Sequence, residues 1–383
     1  MRLHEVMDLA ASGAPQDTNT VDDIVGRGRR VQRRRRAAFA GAGAALAVVA
    51  VSAGVVVPSL GRDTSRPAPA VGVAASTAPP TTWRFPADPF RFTFGAFDAG
   101  RWHVGSPQVV STAYQIAPVR LDGRKTSAGP AGEAAIRDMM ERLERGEEYD
   151  TGPWMRGTLV VYRPGAFDPA GLTGATEVTV DGAKAYEATG SIHNGMITQR
   201  SYAWTYAPDA WAVLSTSSDS AQDPSAAELR ELAPGLRPAE PAPAKLPFTL
   251  GHVPAGYQPV EVESPVVTAR DEDGFGSVVF ADPAPATTGL TEPYDGNVGR
   301  ALPGSFEIAV VPAEQSNVSA DGTAIRCVDG LCVQRTADGG TSVEVSSGGR
   351  LSDAAMTRIL QGLQLRDVTD ASTWADASTA LGG

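Results

Sequence analysis

The sharpest chemistry-bearing arrangement in the sequence is Cys327-Val-Asp-Gly-Leu-Cys332. Asp329-Gly330 is a strong two-residue hairpin signal, because such turns need positive φ and glycine adopts it freely. Val328 and Leu331 would then form the hydrogen-bonded pair that closes the turn. Cys327 and Cys332 would form the next, non-hydrogen-bonded pair, with Cα atoms about 4.5 Å apart. That spacing lies at the short edge of disulfide geometry. A bridge is expected in an oxidising compartment. A redox switch is the alternative, but nothing in the neighbouring sequence would lower a thiol pKa.

Other reactive groups are sparse. The histidines His4, His103, His193 and His252 lie far apart, and two cysteines cannot build a four-ligand zinc site. No nucleophile elbow, phosphate-binding loop, His-Glu-x-x-His or calcium-loop pattern occurs. Asp271-Glu272-Asp273-Gly274 lacks calcium-ligand spacing and reads as a solvated turn. No catalytic residues, metal ligands or cofactor are expected, and the chain is not expected to be an enzyme.

Charge distribution says more about placement. The chain has 383 residues and a formal net charge of -11, which argues against nucleic-acid binding. Residues 1–36 carry a local charge of +3, leaving -14 for the remainder. Arg33, Arg34, Arg35 and Arg36 directly precede residues 37–57, a stretch with no charged residue. About 20 apolar residues span a bilayer as a helix. Arginines beside such a span stay in the cytoplasm. The expectation is a single-pass cell-membrane protein, N-terminus inside and C-terminus outside. A cleaved signal would have a shorter apolar core and a small-residue cleavage site. The arginines of the tail would meet anionic lipid headgroups, or the tail would dock a cytoplasmic protein partner.

Outside the span, composition suggests boundaries. Residues 58–90 are rich in Pro, Ala, Thr and Ser and read as a linker. A first module is expected over 91–238, a short linker over 239–246, a second module over 247–368 and a flexible tail over 369–383. Both modules read as α+β, mostly antiparallel strands closed by a C-terminal helix. Strand-like runs include Thr158–Tyr162, Ala203–Leu214, Phe306–Val311 and Ser342–Val345. Ser225-Ala-Ala-Glu228 reads as a capping box before Leu229, Leu232 and Leu236. Ser352-Asp353 offers a cap before Met356, Ile359 and Leu363. A further helix is expected over 131–147. The matched order of Phe92-Thr-Phe-Gly95 with Phe248-Thr-Leu-Gly251, of Val178-Thr-Val-Asp-Gly182 with Val318-Ser-Ala-Asp-Gly322, and of the closing helices suggests a tandem repeat.

The run Val178-Thr-Val-Asp-Gly-Ala-Lys-Ala-Tyr186, then Tyr202-Ala-Trp204, Trp211-Ala-Val-Leu214 and Ser225–Ala233, resembles the DUF4367 family of unknown function from bacterial surface proteins. The likeness covers about 60 residues of the first module. In the second module only Val318, Gly322 and the closing helix match, and the tryptophan strand is missing. The resemblance implies a structural motif without catalytic residues, often behind one membrane span and sometimes in envelope sensing. Trp204 and Trp211 would be core or rim residues. The expected function is a non-catalytic extracytoplasmic binding or sensing region for an envelope ligand. The alternatives are a membrane regulator whose tail holds a transcription factor and an exported lipid- or peptide-carrying protein.

Overall fold

The computed structural model describes residues 82–124, 155–172, 174–180, 182–192, 197–264, 274–294, 302–316, 318 and 322–382. The first half holds β1 (Arg91–Phe92), β2 (Phe97–Ala99), β3 (Trp102–Val104), β4 (Val109–Ser111), β5 (Tyr114–Leu121), β6 (Met155–Tyr162), β7 (Thr176–Val180), β8 (Ala183–Ile192), β9 (Ile197–Ala207), β10 (Ala210–Ser218) and helix α1 (Ala226–Arg230). The second half holds β11 (Ala242–Pro243), β12 (Lys245–Leu246), β13 (Phe248–Leu250), β14 (Gln258–Glu263), β15 (Gly276–Ala281), β16 (Ser305–Pro312), β17 (Arg326–Val328), β18 (Leu331–Arg335) and β19 (Thr341–Ser346). Helix α2 (Asp353–Gly362), β20 (Leu363–Leu365), β21 (Ala375–Asp376) and helix α3 (Ala377–Leu381) follow.

One antiparallel sheet runs through both halves in the order β17-β18-β19-β16-β15-β14-β4-β5-β6-β10-β9-β8-β7. Each half is wound alike. Three strands follow one another, the chain then crosses to the far edge, and the returning strands work back to pair with the third. The halves meet through β4 and β14. Glu261 pairs with Ser111, Val262 with Val110 and Glu263 with Val109. Backbone bonds from Thr112 N to Val260 O (3.0 Å) and from Ser264 N to Gln108 O (2.7 Å) extend this seam at both ends.

Alternation along the strands divides the side chains between two faces. On one face, Trp102, Ala117, Val119, Leu159, Val161, Tyr202, Trp204 and Leu214 pack beneath Leu229, Leu232 and Leu236. Val262, Phe280, Phe306, Ile308, Val343 and Val345 pack beneath Met356, Ile359 and Leu360 of α2. Phe90 and Val110 also belong to this second core, so the halves share apolar packing as well as hydrogen bonds.

Several expectations are corrected here. The α+β reading, with each module closed by a helix, gives way to a predominantly β structure with three α-helices among the described residues. Helix α1 is five residues long. It starts at the expected capping box, with Ser225 Oγ accepting from Glu228 N. Pro234 has no N–H to donate to Arg230 O, so the α-helical ladder cannot run on, and the chain continues as a 3-10 turn over Ala233–Gly235. Helix α2 does not close its module either, because β20, β21 and α3 follow it. The expected linker 239–246 carries β11 and β12, pairing with β1 and β21. In the expected flexible tail, Ala377, Ala380 and Leu381 are buried in the second core.

The single-pass membrane placement is corrected too. Residues 37–57 and the arginines Arg33, Arg34, Arg35 and Arg36 lie outside the described residues. No helix among the described residues is long and apolar enough to cross a membrane. The ten residues of α2 reach about 15 Å, half of a hydrocarbon core of about 30 Å. The helix expected over 131–147 also lies outside the described residues.

The turn after α1 tests this packing. A Cβ on Gly235 would sit 2.5 Å from Ala99 Cβ and 2.8 Å from the Phe97 ring. Gly235→Val should therefore destabilise the protein by about 1–3 kcal/mol through overpacking. Urea denaturation should show a lower midpoint at unchanged slope.

Candidate functional site

The cysteine hairpin forms with the expected register. Cys327 pairs with Cys332, Val328 pairs with Leu331, and the cysteines are joined by a disulfide with Cα atoms 4.0 Å apart. Asp329 and Gly330 take φ of 50° and 74°, as a type I′ turn requires. Cys332 is fully buried, and its Sγ lies 3.9 Å from Asp353 O at the start of α2. Cys327 Sγ lies 3.8 Å from Thr357 Oγ1. The bridge thus seats the last hairpin of the sheet against the helix that covers the second core. An Asp353 carboxylate oxygen lies within 4.8 Å of both sulfurs. Bonded to each other, the sulfurs offer no thiolate, so this trio is a structural staple rather than a metal centre.

The most unusual surface is the sheet face opposite the helices. Antiparallel sheets commonly leave one face to solvent. Here β5, β6, β9 and β10 send Tyr114, Val160, Tyr162, Ala203 and Val213 to this second face, and all are buried. The source is visible in Thr158-Leu-Val-Val-Tyr162 and Trp211-Ala-Val-Leu214, which are apolar at successive positions instead of alternating. Two connections cover the face in part. The turn after β6 lays Phe167 on Tyr162, ring centroids 4.7 Å apart and stacked. The strap from the second half, residues 283–294, brings in Leu290 and Tyr294.

Backbone bonds latch strap and turn together. Asp168 N donates to Leu290 O and Leu290 N donates to Ala166 O, both at 2.8 Å. A Cβ on Gly171 would collide with the Thr291 side chain, so this close approach depends on glycine.

At the seam, a polar group is sunk into this apolar face. The Tyr114 hydroxyl donates to the Glu261 carboxylate and accepts from Tyr294 N at 2.9 Å. Tyr114 is fully buried and Glu261 is 9% exposed. The Tyr294 hydroxyl lies 2.7 Å from Thr112 Oγ1. Desolvation first, and the Glu261 charge second, push the Tyr114 pKa well above the ordinary tyrosine value. Burial also raises the pKa values of Tyr162 and Tyr294. The Tyr114 phenol therefore remains a neutral donor that satisfies a carboxylate inside the protein.

Away from the seam, the aromatic row runs outward. Phe167 and Trp211 have ring centroids 6.3 Å apart, and Trp211 and Tyr186 are 5.7 Å apart. Burial falls along this row. Tyr162 and Phe167 are buried, whereas Trp211 and Tyr186 are only partly covered. Of the two tryptophans expected in core or rim, Trp204 joins the helix-side core and Trp211 stands at the edge of the second face. Tyr114, Tyr162, Phe167 and Glu261 were not expected as site residues. The non-alternating apolar run Thr158–Tyr162 was a signal for Tyr162; Tyr114, Phe167 and Glu261 lie outside such runs.

Tyr114→Phe removes the donor to Glu261 and the acceptor for Tyr294 N. It should cost about 1.5–3 kcal/mol, the range for a hydrogen bond to a charged group. Chemical denaturation of the full chain checks this.

No protein-family model matches the chain, and no curated protein matches its sequence. Among solved structures, the chain is similar to MucB in complex with MucA(peri), at 10% sequence identity and a TM-score of 0.20, covering 73% of this chain and 95% of that one. It is also similar to the MucA/MucB complex of Pseudomonas aeruginosa, at 12% identity and a TM-score of 0.19, with the same two coverages.

Proposed function

We propose that the chain is a non-catalytic binding protein that takes an apolar ligand on the second face of its sheet, at Trp211 and Tyr186. The observation that carries this reading is one sheet with two apolar faces. The helices close the first face. Among the described residues the second is closed only in part, and its aromatic row ends in two half-covered rings. Tyrosine and tryptophan give large contact area with little entropy to lose, which suits them to recognition. The Cys327–Cys332 bridge supports folding in an oxidising compartment. The resemblance of residues 178–233 to the DUF4367 family belongs to the same reading, since that motif is structural. The alternative of a tail that holds a transcription factor rests on residues 1–36, which lie outside the described residues.

Titration of the full chain with a dansyl-labelled fatty acid tests the proposal. Saturable binding is expected, with energy transfer from tryptophan. Trp211→Ala should weaken it by about thirtyfold, which corresponds to a hot-spot residue worth about 2 kcal/mol. Trp83→Ala, on a ring that stacks edge-on with Tyr206 on the other face, should leave the affinity unchanged. Equal affinity for wild type and Trp211→Ala would reject the site.

A further inference from the structure

His103 stands on β3 between carboxylates that come from two different elements. Strand pairing sets Asp98 of β2 opposite it on one side and Arg120 of β5 on the other. Its Nδ1 lies 2.6 Å from Asp98 Oδ1, and its Nε2 lies 2.7 Å from Oδ1 of Asp122, one residue past β5. The second is a close ion contact that falls short of hydrogen-bond alignment. A neutral imidazole has one N–H and one lone pair. It can satisfy one carboxylate, but it turns a lone pair toward the other. The imidazolium carries an N–H on each nitrogen and a positive charge between the two carboxylates, so neither faces a lone pair. The arrangement is therefore complementary to the cation.

The surrounding charges agree. The Asp122 contact first, and the Asp98 contact second, raise the His103 pKa above the ordinary value of 6.5, while burial and then Arg120 oppose them. Arg101 joins Glu228 at 3.0 Å and also donates to Asp122 O. A Cβ on Gly100, at the hairpin tip, would meet Glu231 Oε2 at 2.8 Å. Arg124, past the end of β5, also pairs with Glu228 at 3.3 Å, and with it these are charged groups presented by β2, β5 and the α1 region at this corner.

What the histidine ties down is the hairpin β2–β3. That hairpin carries Trp102, fully buried in the helix-side core, with Nε1 donating to Glu228 O at 2.5 Å. It also carries Phe97 and Ala99, which sit against Gly235 just past α1. A hairpin that holds both the sheet and the helix turn is in a position to govern access to the core between them.

We propose that His103 is a proton-operated latch on this hairpin. As an imidazolium it ties β2 to the end of β5. On losing its proton it releases one carboxylate, and the hairpin opens more readily away from α1. The sign follows from the raised pKa. The contribution is complete below the unfolded histidine value of about 6.5 and is lost as pH rises through the higher folded value.

Amide hydrogen exchange of the full chain across this pH range, corrected for intrinsic rates, tests the latch. Protection of the β2–β3 amides should fall about tenfold for each pH unit by which the folded midpoint exceeds 6.5. Protection of β15 and β16 should stay constant. His103→Gln should abolish the pH dependence of the hairpin. Asp98 is 75% exposed, so Asp98→Asn keeps the fold available for measurement. It should lower the His103 midpoint, read by NMR of the ring protons. A His103 midpoint at the free value, hairpin protection that ignores pH, or the same pH dependence in His103→Gln would each overturn the proposal.

Discussion

The fold depends on the pairing of β4 with β14. Without this pairing, β4 and β14 would each leave one side unpaired at the margin of their half of the sheet. An unpaired edge leaves a row of N–H and C=O groups open to other chains. Joining β4 to β14 pairs these two open sides with each other and makes one sheet of two similarly wound halves. The remaining ends are treated differently. At one, β17 is stapled to β18 by Cys327–Cys332 and seated on α2. At the other, β7 exposes Thr176, Glu177 and Thr179, with Glu177 paired to Lys184 at 2.6 Å.

The seam explains the second face. Antiparallel pairing places Ser111, Tyr114 and Glu261 on the side away from the helices, and the strap brings Tyr294 onto them. A buried carboxylate there is tolerable only with donors aimed at it. Tyr114 supplies one, and its own oxygen satisfies Tyr294 N, so the strap is tied to the seam through the same hydroxyl. From that fixed point the apolar surface extends through Tyr162 and Phe167 to Trp211 and Tyr186. The proposed binding face is thus an outgrowth of the contact that joins the halves.

Local features were the legible ones. The Asp329-Gly330 turn specified the cysteine register, and the capping box specified the start of α1. The spacing of Leu229 and Leu232, like that of Met356 and Ile359, marked residues that are buried beneath the helices. The seam was not legible, because Val109–Ser111 and Glu261–Glu263 are short strands about 150 residues apart and neither carries a mark of its partner. The Pro/Ala-rich stretch at 239–246 looked like a linker because proline is costly inside a sheet, yet here it forms short edge pairings where a missing donor matters little. The His103 corner could have been read. Asp98 and His103 have the same five-residue separation as Cys327 and Cys332, with Gly100 in the intervening turn at a φ of 58°.

If the β4–β14 seam unites the halves, they should unfold together. Differential scanning calorimetry of the full chain with its disulfide intact tests this most directly. A single transition whose calorimetric and van't Hoff enthalpies agree is the predicted result. Two resolved transitions, one for each half, would contradict the account.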